Sequence, residues 1–377
     1  MMVFGIIIGG IYLIILGFLF WESFQLPEFF WEENELEKTK FSIIIPFRNE
    51  TENLPVLLAS INKLNYPLDR FELIFVDDES EDRSVNVIEK YFKNSEKFYA
   101  FKIIKNQKKS NSPKKDAITL AIENSNYDWI ITTDSDCVVP SNWLQIIHSF
   151  IIKKQPLFIA SPVGVISNNT LINSYQIFDF LSLQTVTMGS FGFNYPMLCN
   201  GANLCYKKEI FNAVKGYSGN NHISSGDDVF LLEKVAKMFP NKVHYLKGKE
   251  AIVLTKSETT WAKLISQRIR WASKTSKQKN RLSTFIGLTV FACNLLVIIG
   301  IVLAIFNTNY LSFILLFWMI KLLADYLFII FTASFFGSKT PFLKFVISSV
   351  LYSIITVLVL FGSILGTYSW KGRQFKK

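Results

Sequence analysis

Cysteine is scarce in this chain, which has only four among its 377 residues. These four show no C-x-x-C spacing and fall far below the density of a disulfide scaffold, so a reducing compartment is expected. The sequence also lacks a phosphate-binding loop of the G-x-x-x-x-G-K-[ST] type, which argues against a P-loop ATPase. It has no self-similarity with a period of about 20–50 residues, which argues against a solenoid.

Charged side chains are rare in long segments at both ends of the chain. Residues 1–20 carry none, and similarly apolar segments lie at Phe285–Phe306, Tyr310–Phe336 and Phe345–Thr367. Each is close to or above the roughly 20 residues that span a bilayer. Because the N-terminal segment lacks the basic region and cleavage site of a secretory signal, we expect it to remain as a transmembrane anchor over 1–22.

The C-terminal region 284–369 is predicted to hold two or three spans, followed by a basic tail at 370–377. Lys321 and Asp325 lie four residues apart within it, on one helical face, where they can neutralise each other. If the middle of the chain is cytosolic and all three segments span, the tail faces the outer side, against the positive-inside tendency. A re-entrant segment at Tyr310–Phe336 would resolve that conflict.

The net charge of +10 is concentrated at 102–115 and 263–282. Anionic lipid head groups and the phosphates of a nucleotide explain this surplus more simply than nucleic acid does. We therefore expect the bilayer and a nucleotide as partners, and no nucleic acid. The basic segment 258–283 has helical spacing with interleaved tryptophans, which is typical of an interfacial amphipathic helix.

The middle of the chain, 40–257, alternates short apolar runs with helical patterns, beginning with FSIII at 41–45 and FELIFV at 71–76. This alternation predicts an α/β domain with a mostly parallel sheet. The alternation is lost beyond about residue 165, where Leu171–Phe193 is apolar with few charges. We expect the later half of the domain to bind a second substrate.

Acidic residues follow two of the predicted strands, at Asp77-Asp78 and at Asp134-Ser135-Asp136. Ligands of open α/β sheets bind at the carboxyl ends of the strands. Two carboxylates in a D-x-D arrangement suit a hard divalent cation whose other ligands are phosphate oxygens. For Asp134-Ser135-Asp136 the alternative is a helix cap or an Asx turn. For Asp77-Asp78 it is a capping box of the following helix.

Two further signals lie elsewhere in the predicted domain. Asp227 and Asp228 precede a helical pattern, and one of them, preferably Asp228, is a candidate general base for an acceptor hydroxyl. The alternative is a helix cap. Lys114, or its neighbour Lys115, is a candidate phosphate contact, with a solvated charge run as the alternative.

The last signal is Gln267-Arg268-Ile269-Arg270-Trp271, in which Gln267, Arg270 and Trp271 fall on one helical face. An arginine and a flat aromatic ring there suit a phosphate and an acceptor. Membrane anchoring by tryptophan and arginine is the alternative.

Six segments in this order, SIIIPFRNE, VDDES, TTDSD, NGANLCY, SGDDVFL and QRIRW, lie between residues 41 and 271. Together they resemble the family 2 glycosyltransferases of GT-A fold. The most similar members in pattern are membrane-embedded: the cellulose, chitin and hyaluronan synthases and the ceramide-glucosyltransferase-like enzymes. The resemblance implies a Rossmann-like, mostly parallel catalytic domain with one N-terminal and two to three C-terminal transmembrane helices.

The resemblance also implies roles for particular residues. Nucleotide-sugar binding falls to Pro46, Asn49, Glu50, Asp77, Asp78, Lys114 and Asp134. Asp136 would bind the metal with Asp134, and Asp228 would be the base, with Asp227 as the second candidate. The diphosphate and the acceptor would contact Gly201, Gln267, Arg268, Arg270 and Trp271. Two positions depart from the family pattern, because Glu79 stands where glycine is common and Asp227 where glutamate is common.

The reaction implied is an inverting, metal-dependent transfer from a nucleotide-sugar, with a UDP-sugar favoured, to a hydroxyl of a membrane lipid. Mg²⁺ or Mn²⁺ would be the cofactor, and a lipid or glycan the acceptor. A processive polysaccharide synthase is one alternative, although such enzymes usually have more spans. An inactive membrane scaffold or lipid-binding protein is another. We expect an integral protein of a bacterial inner or cell membrane, with the catalytic domain on the cytoplasmic side.

Overall fold

The computed structural model describes residues 2–32, 37–97, 99–275, 280–365, 368–371 and 373–375. The chain forms two compact units. The first, here called the sheet unit, comprises Pro27–Ile166 and Asn194–Lys256, and the second, the helical unit, comprises Met1–Leu26, Ser167–Phe193 and Ser257–Lys377.

Strands and helices alternate through the first half of the sheet unit, as the sequence predicts. The strands of both units, in chain order, are β1 (Phe41–Phe47), β2 (Phe71–Asp77), β3 (Ala100–Lys105), β4 (Trp129–Thr132), β5 (Cys137–Val138), β6 (Phe158–Ala160), β7 (Val163–Val165), β8 (Leu204–Lys207), β9 (Val243–Tyr245), β10 (Val253–Thr255), β11 (Tyr368–Trp370) and β12 (Arg373–Phe375). The α-helices are α1 (Met2–Gln25), α2 (Leu54–Ile61), α3 (Ser84–Lys93), α4 (Pro113–Glu123), α5 (Trp143–Lys154), α6 (Leu171–Gly192), α7 (Lys208–Ala213), α8 (Asp227–Met238), α9 (Trp261–Thr275), α10 (Arg281–Phe306), α11 (Leu311–Phe335) and α12 (Phe342–Leu365).

The main sheet has the strand order β3-β2-β1-β4-β8-β6-β9. The first four strands are parallel, β8 runs antiparallel between β4 and β6, and β9 is parallel to β6. A second sheet has the order β5-β10-β7. The expected α/β fold with a mostly parallel sheet is confirmed.

Strand β1 lies at the centre of the parallel part, and its apolar run Ile43–Ile45 is completely buried. Such continuous runs are typical of strands that are covered on both faces. Pro46 is compatible with this position because the pairing of β1 with β4 ends at Ile44, so no ladder hydrogen bond is lost on that side. Pairing with β2 continues to Phe47.

The helical unit contains four helices that are long and apolar enough to cross a membrane. These are one helix at the N-terminus and three in the C-terminal region, which confirms the predicted fold class. Helix α11 is continuous over 25 residues, so its length suits a complete span. Its re-entrant insertion stays a prediction.

The domain boundaries predicted from the sequence also stay predictions. In the structure, Ser167–Phe193 belongs to the helical unit, although it lies within the predicted 40–257 domain. Residues 276–279 of the predicted amphipathic segment lie outside the described residues, as do residues 372, 376 and 377 of the basic tail.

The two charges inside α11 are paired. Lys321 Nζ lies 2.6 Å from Asp325 Oδ2, as the sequence predicts. Tyr12 of α1 donates a hydrogen bond of 2.5 Å to Asp325 Oδ1. Each polar atom therefore has a partner in an apolar environment, where an unpaired charge would be costly.

Helices α1 and α6 approach each other closely at two glycines. A Cβ atom on Gly189 would lie 2.4 Å from the carbonyl oxygen of Leu19, and one on Gly192 would lie 2.5 Å from that of Glu22. Only a residue without a side chain allows this backbone separation, as in other small-residue helix contacts.

We therefore expect Gly189→Ala to push α6 away from α1 and to cost about 1–3 kcal/mol of stability. Thermal unfolding of the detergent-solubilised protein measures this. Gly17→Ala on α1 is the matched control, since a Cβ atom there meets nothing within 4 Å. Equal melting temperatures for the two variants would contradict the close packing.

Candidate active site

The loops that follow β1 and β2 are joined by Arg48. Its Nη1 donates to the carbonyl oxygen of Asp78 at 2.8 Å and to that of Glu79, and its Nη2 lies 2.8 Å from Glu81 Oε1. The side chain is buried. One guanidinium thus holds the loop that carries the first predicted acidic pair against the end of β1.

Asn49 and Glu50 extend this connection. Asn49 Oδ1 accepts from the backbone N–H of Glu81 at 2.8 Å, and the Glu50 N–H donates to Ser84 Oγ at 2.7 Å. Glu50 Oε2 accepts from Asn53 Nδ2 at 2.5 Å. These contacts give both residues a role in loop structure, and their roles toward a nucleotide stay predictions.

Glu79 adopts a backbone conformation with φ of 58°, the left-handed region that favours glycine. The family pattern often has glycine here, and glycine adopts this conformation without strain. A side chain in this region costs roughly 1–2 kcal/mol. Lys108 pairs with the Glu79 carboxylate beside this turn.

The two carboxylates of the first acidic pair have different surroundings. Asp77 Oδ1 accepts from the backbone N–H of Ser80 at 2.9 Å and so shapes the turn. Asp78 is buried, and its Oδ1 accepts from Asn106 Nδ2 at 2.8 Å. Asn106 also donates to the carbonyl oxygen of Pro113 at 3.0 Å. It thereby connects Asp78 to the start of α4, and we did not predict this role from the sequence.

Lys114, in the first turn of α4, lies among carboxylates from two other parts of the chain. Its Nζ is 2.6 Å from Asp134 Oδ1, after β4, and 3.4 Å from Asp227 Oδ2, at the start of α8. Burial lowers the pKa of the ammonium, but Asp134 and Asp227, with a smaller contribution from Asp228, outweigh burial and hold that pKa above its ordinary value.

Asp228 is oriented by two backbone amides. Its Oδ1 accepts from the N–H of Val229 at 2.7 Å, and its Oδ2 accepts from the N–H of Gly201 at 3.3 Å. Gly226, with φ of 79°, turns the chain into α8 just before the acidic pair.

A side chain at Gly201 would have to displace the Asp227 carboxylate. A Cβ atom there would lie 2.9 Å from Asp227 Oδ2 and 3.6 Å from Lys114 Nζ. The carbonyl oxygen of Gly201 accepts from Thr132 Oγ1 at 2.7 Å, which fixes its position beside β4. We call Lys114, Asp134, Gly201, Asp227 and Asp228 the Lys114 cluster.

Asp136 is half-buried in the connection from β4 to β5, and the Cys137 thiol donates to its Oδ1 at 3.7 Å. Among the described residues, no group of three or more His, Cys, Asp or Glu side chains could hold a metal. Mg²⁺, however, is commonly bound by one or two carboxylates together with substrate phosphates. Asp134 and Asp136 provide two carboxylates, and the ammonium beside Asp134 shows that a positive charge is stabilised there. Their binding of a metal stays a prediction.

Lys115 has a different role from its neighbour. It is completely buried, and its Nζ donates to the carbonyl oxygens of Asn220 and Ile223, both at 2.8 Å. The ammonium also lies 5.0 Å from the ring centre of Phe230. Lys115 therefore anchors the segment that leads into α8, and neither lysine is part of a solvated charge run.

In the helical unit, the predicted motif lies on α9. Gln267 Nε2 donates to Glu258 Oε1 at 3.1 Å. Arg268 is buried, and its Nε lies 2.6 Å from Asp179 Oδ2 on α6. Its guanidinium lies 4.3 Å from the ring centre of Trp271. This side chain thus joins α9 to α6, and its predicted role toward a diphosphate stays a prediction.

One face of α9 is covered by apolar residues of the same unit. Leu264 is completely buried, in a cluster with Tyr175 of α6 and Ile355 of α12. Arg270 and Trp271 are half-buried. The predicted amphipathic character is visible in this burial, whereas an interfacial position in a membrane stays a prediction.

We expect Lys115→Met to weaken the protein and its activity together, because the carbonyl oxygens of Asn220 and Ile223 lose their buried donor. An unsatisfied buried polar group costs about 1–3 kcal/mol. Thermal unfolding and a turnover assay measure the two effects. Lys105→Met, at an exposed position, is the control and leaves both unchanged. Equal stability of the two variants would contradict the anchoring role.

Two sequence profiles match the chain. The profile described as Glycosyl transferase family 2 matches residues 42–214, and the one described as Glycosyl transferase family group 2 matches residues 129–365. The second match covers more than half of the 377 residues.

Individual relatives are similar over shorter stretches. The "Probable glycosyltransferase YdaM" of Bacillus subtilis (strain 168) is 32% identical over 123 residues, which are 32% of this chain and 28% of that protein. The "Undecaprenyl-phosphate 4-deoxy-4-formamido-L-arabinose transferase" of Proteus mirabilis (strain HI4320) is 36% identical over 102 residues, 27% of this chain and 30% of that protein. The matched stretch thus spans less than a third of the length of these relatives.

A mannosyltransferase from Pyrobaculum calidifontis, PcManGT, solved in complex with GDP-Man and Mn²⁺, has a similar structure. The TM-score is 0.58 at 12% identity, over 97% of this chain and 99% of that one, which shows a shared GT-A fold. With the profile match over more than half of its length, this chain belongs to the family 2 glycosyltransferases.

Proposed function

We propose that the protein transfers a sugar from a nucleotide-sugar to a hydroxyl group of a membrane lipid, with inversion at the anomeric carbon. The observation that carries this proposal is the Lys114 cluster. It brings together carboxylates that are about ninety residues apart in sequence, at Asp134 and at Asp227-Asp228, around one ammonium. Carboxylates that can hold a divalent cation, together with an ammonium that can contact phosphate oxygens, suit a substrate with a diphosphate.

The donor is proposed to bind at the carboxyl ends of the parallel strands, where ligands of open α/β sheets bind. Asp78, held by Asn106, is the proposed contact to the nucleoside. Asp134 and Asp136 would hold Mg²⁺ or Mn²⁺. The cation, when bound, would stabilise the negative charge that develops on the leaving diphosphate. The PcManGT complex with GDP-Man and Mn²⁺ is an example of this fold with such a donor.

Asp228 is the proposed general base. The N–H groups of Gly201 and Val229 orient its carboxylate, whereas Asp227 contacts the Lys114 ammonium. A base must keep a fixed position toward the acceptor hydroxyl and be able to take its proton. Both requirements favour Asp228.

A lipid acceptor is proposed because the chain itself carries four helices that suit a membrane. The relative from Proteus mirabilis is named for transfer involving undecaprenyl-phosphate, a lipid. A panel of UDP- and GDP-sugars with a membrane lipid extract, followed by mass spectrometry, tests the proposal. A single added sugar supports it, and a ladder of products would instead show a processive synthase. No binding or hydrolysis of any donor would favour an inactive scaffold.

Substitutions separate the proposed roles. Asp228→Asn should retain donor binding and lose about 10²–10⁴-fold in turnover, the usual contribution of a general base. Asp136→Asn should lose donor-dependent turnover together with its response to Mn²⁺. Calorimetry with the nucleotide and a product assay measure these effects.

The control is Asp69→Asn, at an exposed position. It carries the same change of charge and should behave as the unsubstituted protein. Near-normal turnover of either Asp136→Asn or Asp228→Asn would overturn the corresponding assignment.

A further inference from the structure

The Lys114 ammonium contacts Asp134, the carboxylate that the proposed function assigns to the divalent cation. Its Nζ is 2.6 Å from Asp134 Oδ1 and 3.4 Å from Asp227 Oδ2. The side chains of Lys114, Asp134 and Asp227 are 22%, 35% and 12% exposed, so water screens these two contacts only partly. The contact joins α4, the loop after β4 and the start of α8.

Carboxylates outnumber ammonium groups in this cluster. Asp134, Asp227 and Asp228 all act on the charge of Lys114, which is the single ammonium in contact with Asp134 and Asp227 among the described residues. Carboxylates that share a site repel one another when no cation lies between them. Lys114 offsets this repulsion while no donor is bound.

The neighbouring lysine does not share this role. Lys115 is held by the carbonyl oxygens of Asn220 and Ile223. The start of α4 is held in turn by Asn106, through the carbonyl oxygen of Pro113. The backbone that carries Lys114 is thus fixed, while its side chain is a flexible stem with a compact charge.

We propose that Lys114 is a built-in counter-cation that holds the donor-free site together and competes with the divalent cation for Asp134. This proposal rests on the proposed function, because it assigns the metal to Asp134 and Asp136. A Mg²⁺ ion bonds to a carboxylate oxygen at about 2.0–2.1 Å. An ammonium on the same oxygen repels it, so the metal binds weakly until a diphosphate accompanies it.

Arrival of the donor removes this competition. The diphosphate brings negative charge for both cations, so the ammonium can move from Asp134 to a phosphate oxygen while the metal takes its place. The consequence is a preference for metal and nucleotide together over metal alone. Lys114 would therefore oppose metal binding without a nucleotide and support nucleotide binding with the metal.

The test is Mn²⁺ binding to the full-length, detergent-solubilised protein, measured by electron paramagnetic resonance with and without UDP and GDP. Lys114→Gln should bind Mn²⁺ about tenfold more tightly without nucleotide, since the positive charge that repels the metal from Asp134 is removed. In saturating Mn²⁺, the same variant should bind the nucleotide about tenfold more weakly. Opposite signs are the distinctive result, because a merely destabilised site would weaken both.

Two variants accompany the test. Lys114→Arg keeps the positive charge and should keep metal binding weak. Lys108→Gln removes an exposed positive charge outside the Lys114 cluster and should leave Mn²⁺ affinity unchanged. If Lys114→Gln fails to fold, Asp227→Asn removes a partner of the ammonium instead. It should strengthen the hold of Lys114 on Asp134 and weaken Mn²⁺ binding further.

The outcomes distinguish this proposal from the one on which it rests. Unchanged or weaker Mn²⁺ binding by Lys114→Gln, while the nucleotide complex still binds Mn²⁺, overturns the role of Lys114 alone. If Asp227→Asn is the variant used, unchanged or tighter Mn²⁺ binding overturns that role. A lack of Mn²⁺ binding by every variant, even with nucleotide, overturns the metal assignment in the proposed function as well.

Discussion

The contact that holds the candidate active site together is the ion pair between Lys114 and the carboxylates of Asp134 and Asp227. It joins the end of a parallel strand to the starts of two helices. Carboxylates at these positions would repel one another without a positive charge between them. The fold thus places the acidic groups of the site and their counter-charge together.

Several buried side chains hold this contact in place. Asn106 connects Asp78 to the start of α4, and Lys115 anchors the segment before α8. Arg48 joins the loops that follow β1 and β2. Since buried polar groups need partners, these side chains constrain the loops more firmly than the loop sequences themselves would.

In the helical unit, too, buried charged side chains have partners, here among apolar helices. Lys321 pairs with Asp325, which also accepts from Tyr12, and Arg268 pairs with Asp179. Each pair joins two helices or two turns of one helix. Because these side chains are largely buried, removing one partner would leave an unpaired charge away from water. The apolar segments specify that these helices are long, and the polar contacts orient them.

The sequence alone determined the elements whose signal is local. Continuous apolar runs such as Ile43–Ile45 specify buried parallel strands, and long uncharged segments specify helices that can cross a membrane. The order of the acidic and basic motifs was sufficient to indicate the family. Only the tertiary structure decided which neighbouring lysine enters the acidic cluster, since Lys114 and Lys115 differ by one helical position and not in chemistry. It also revealed Asn106 as the partner of Asp78, and the left-handed turn at Glu79. These depend on contacts between residues distant in sequence and on backbone angles, neither of which a residue pattern records.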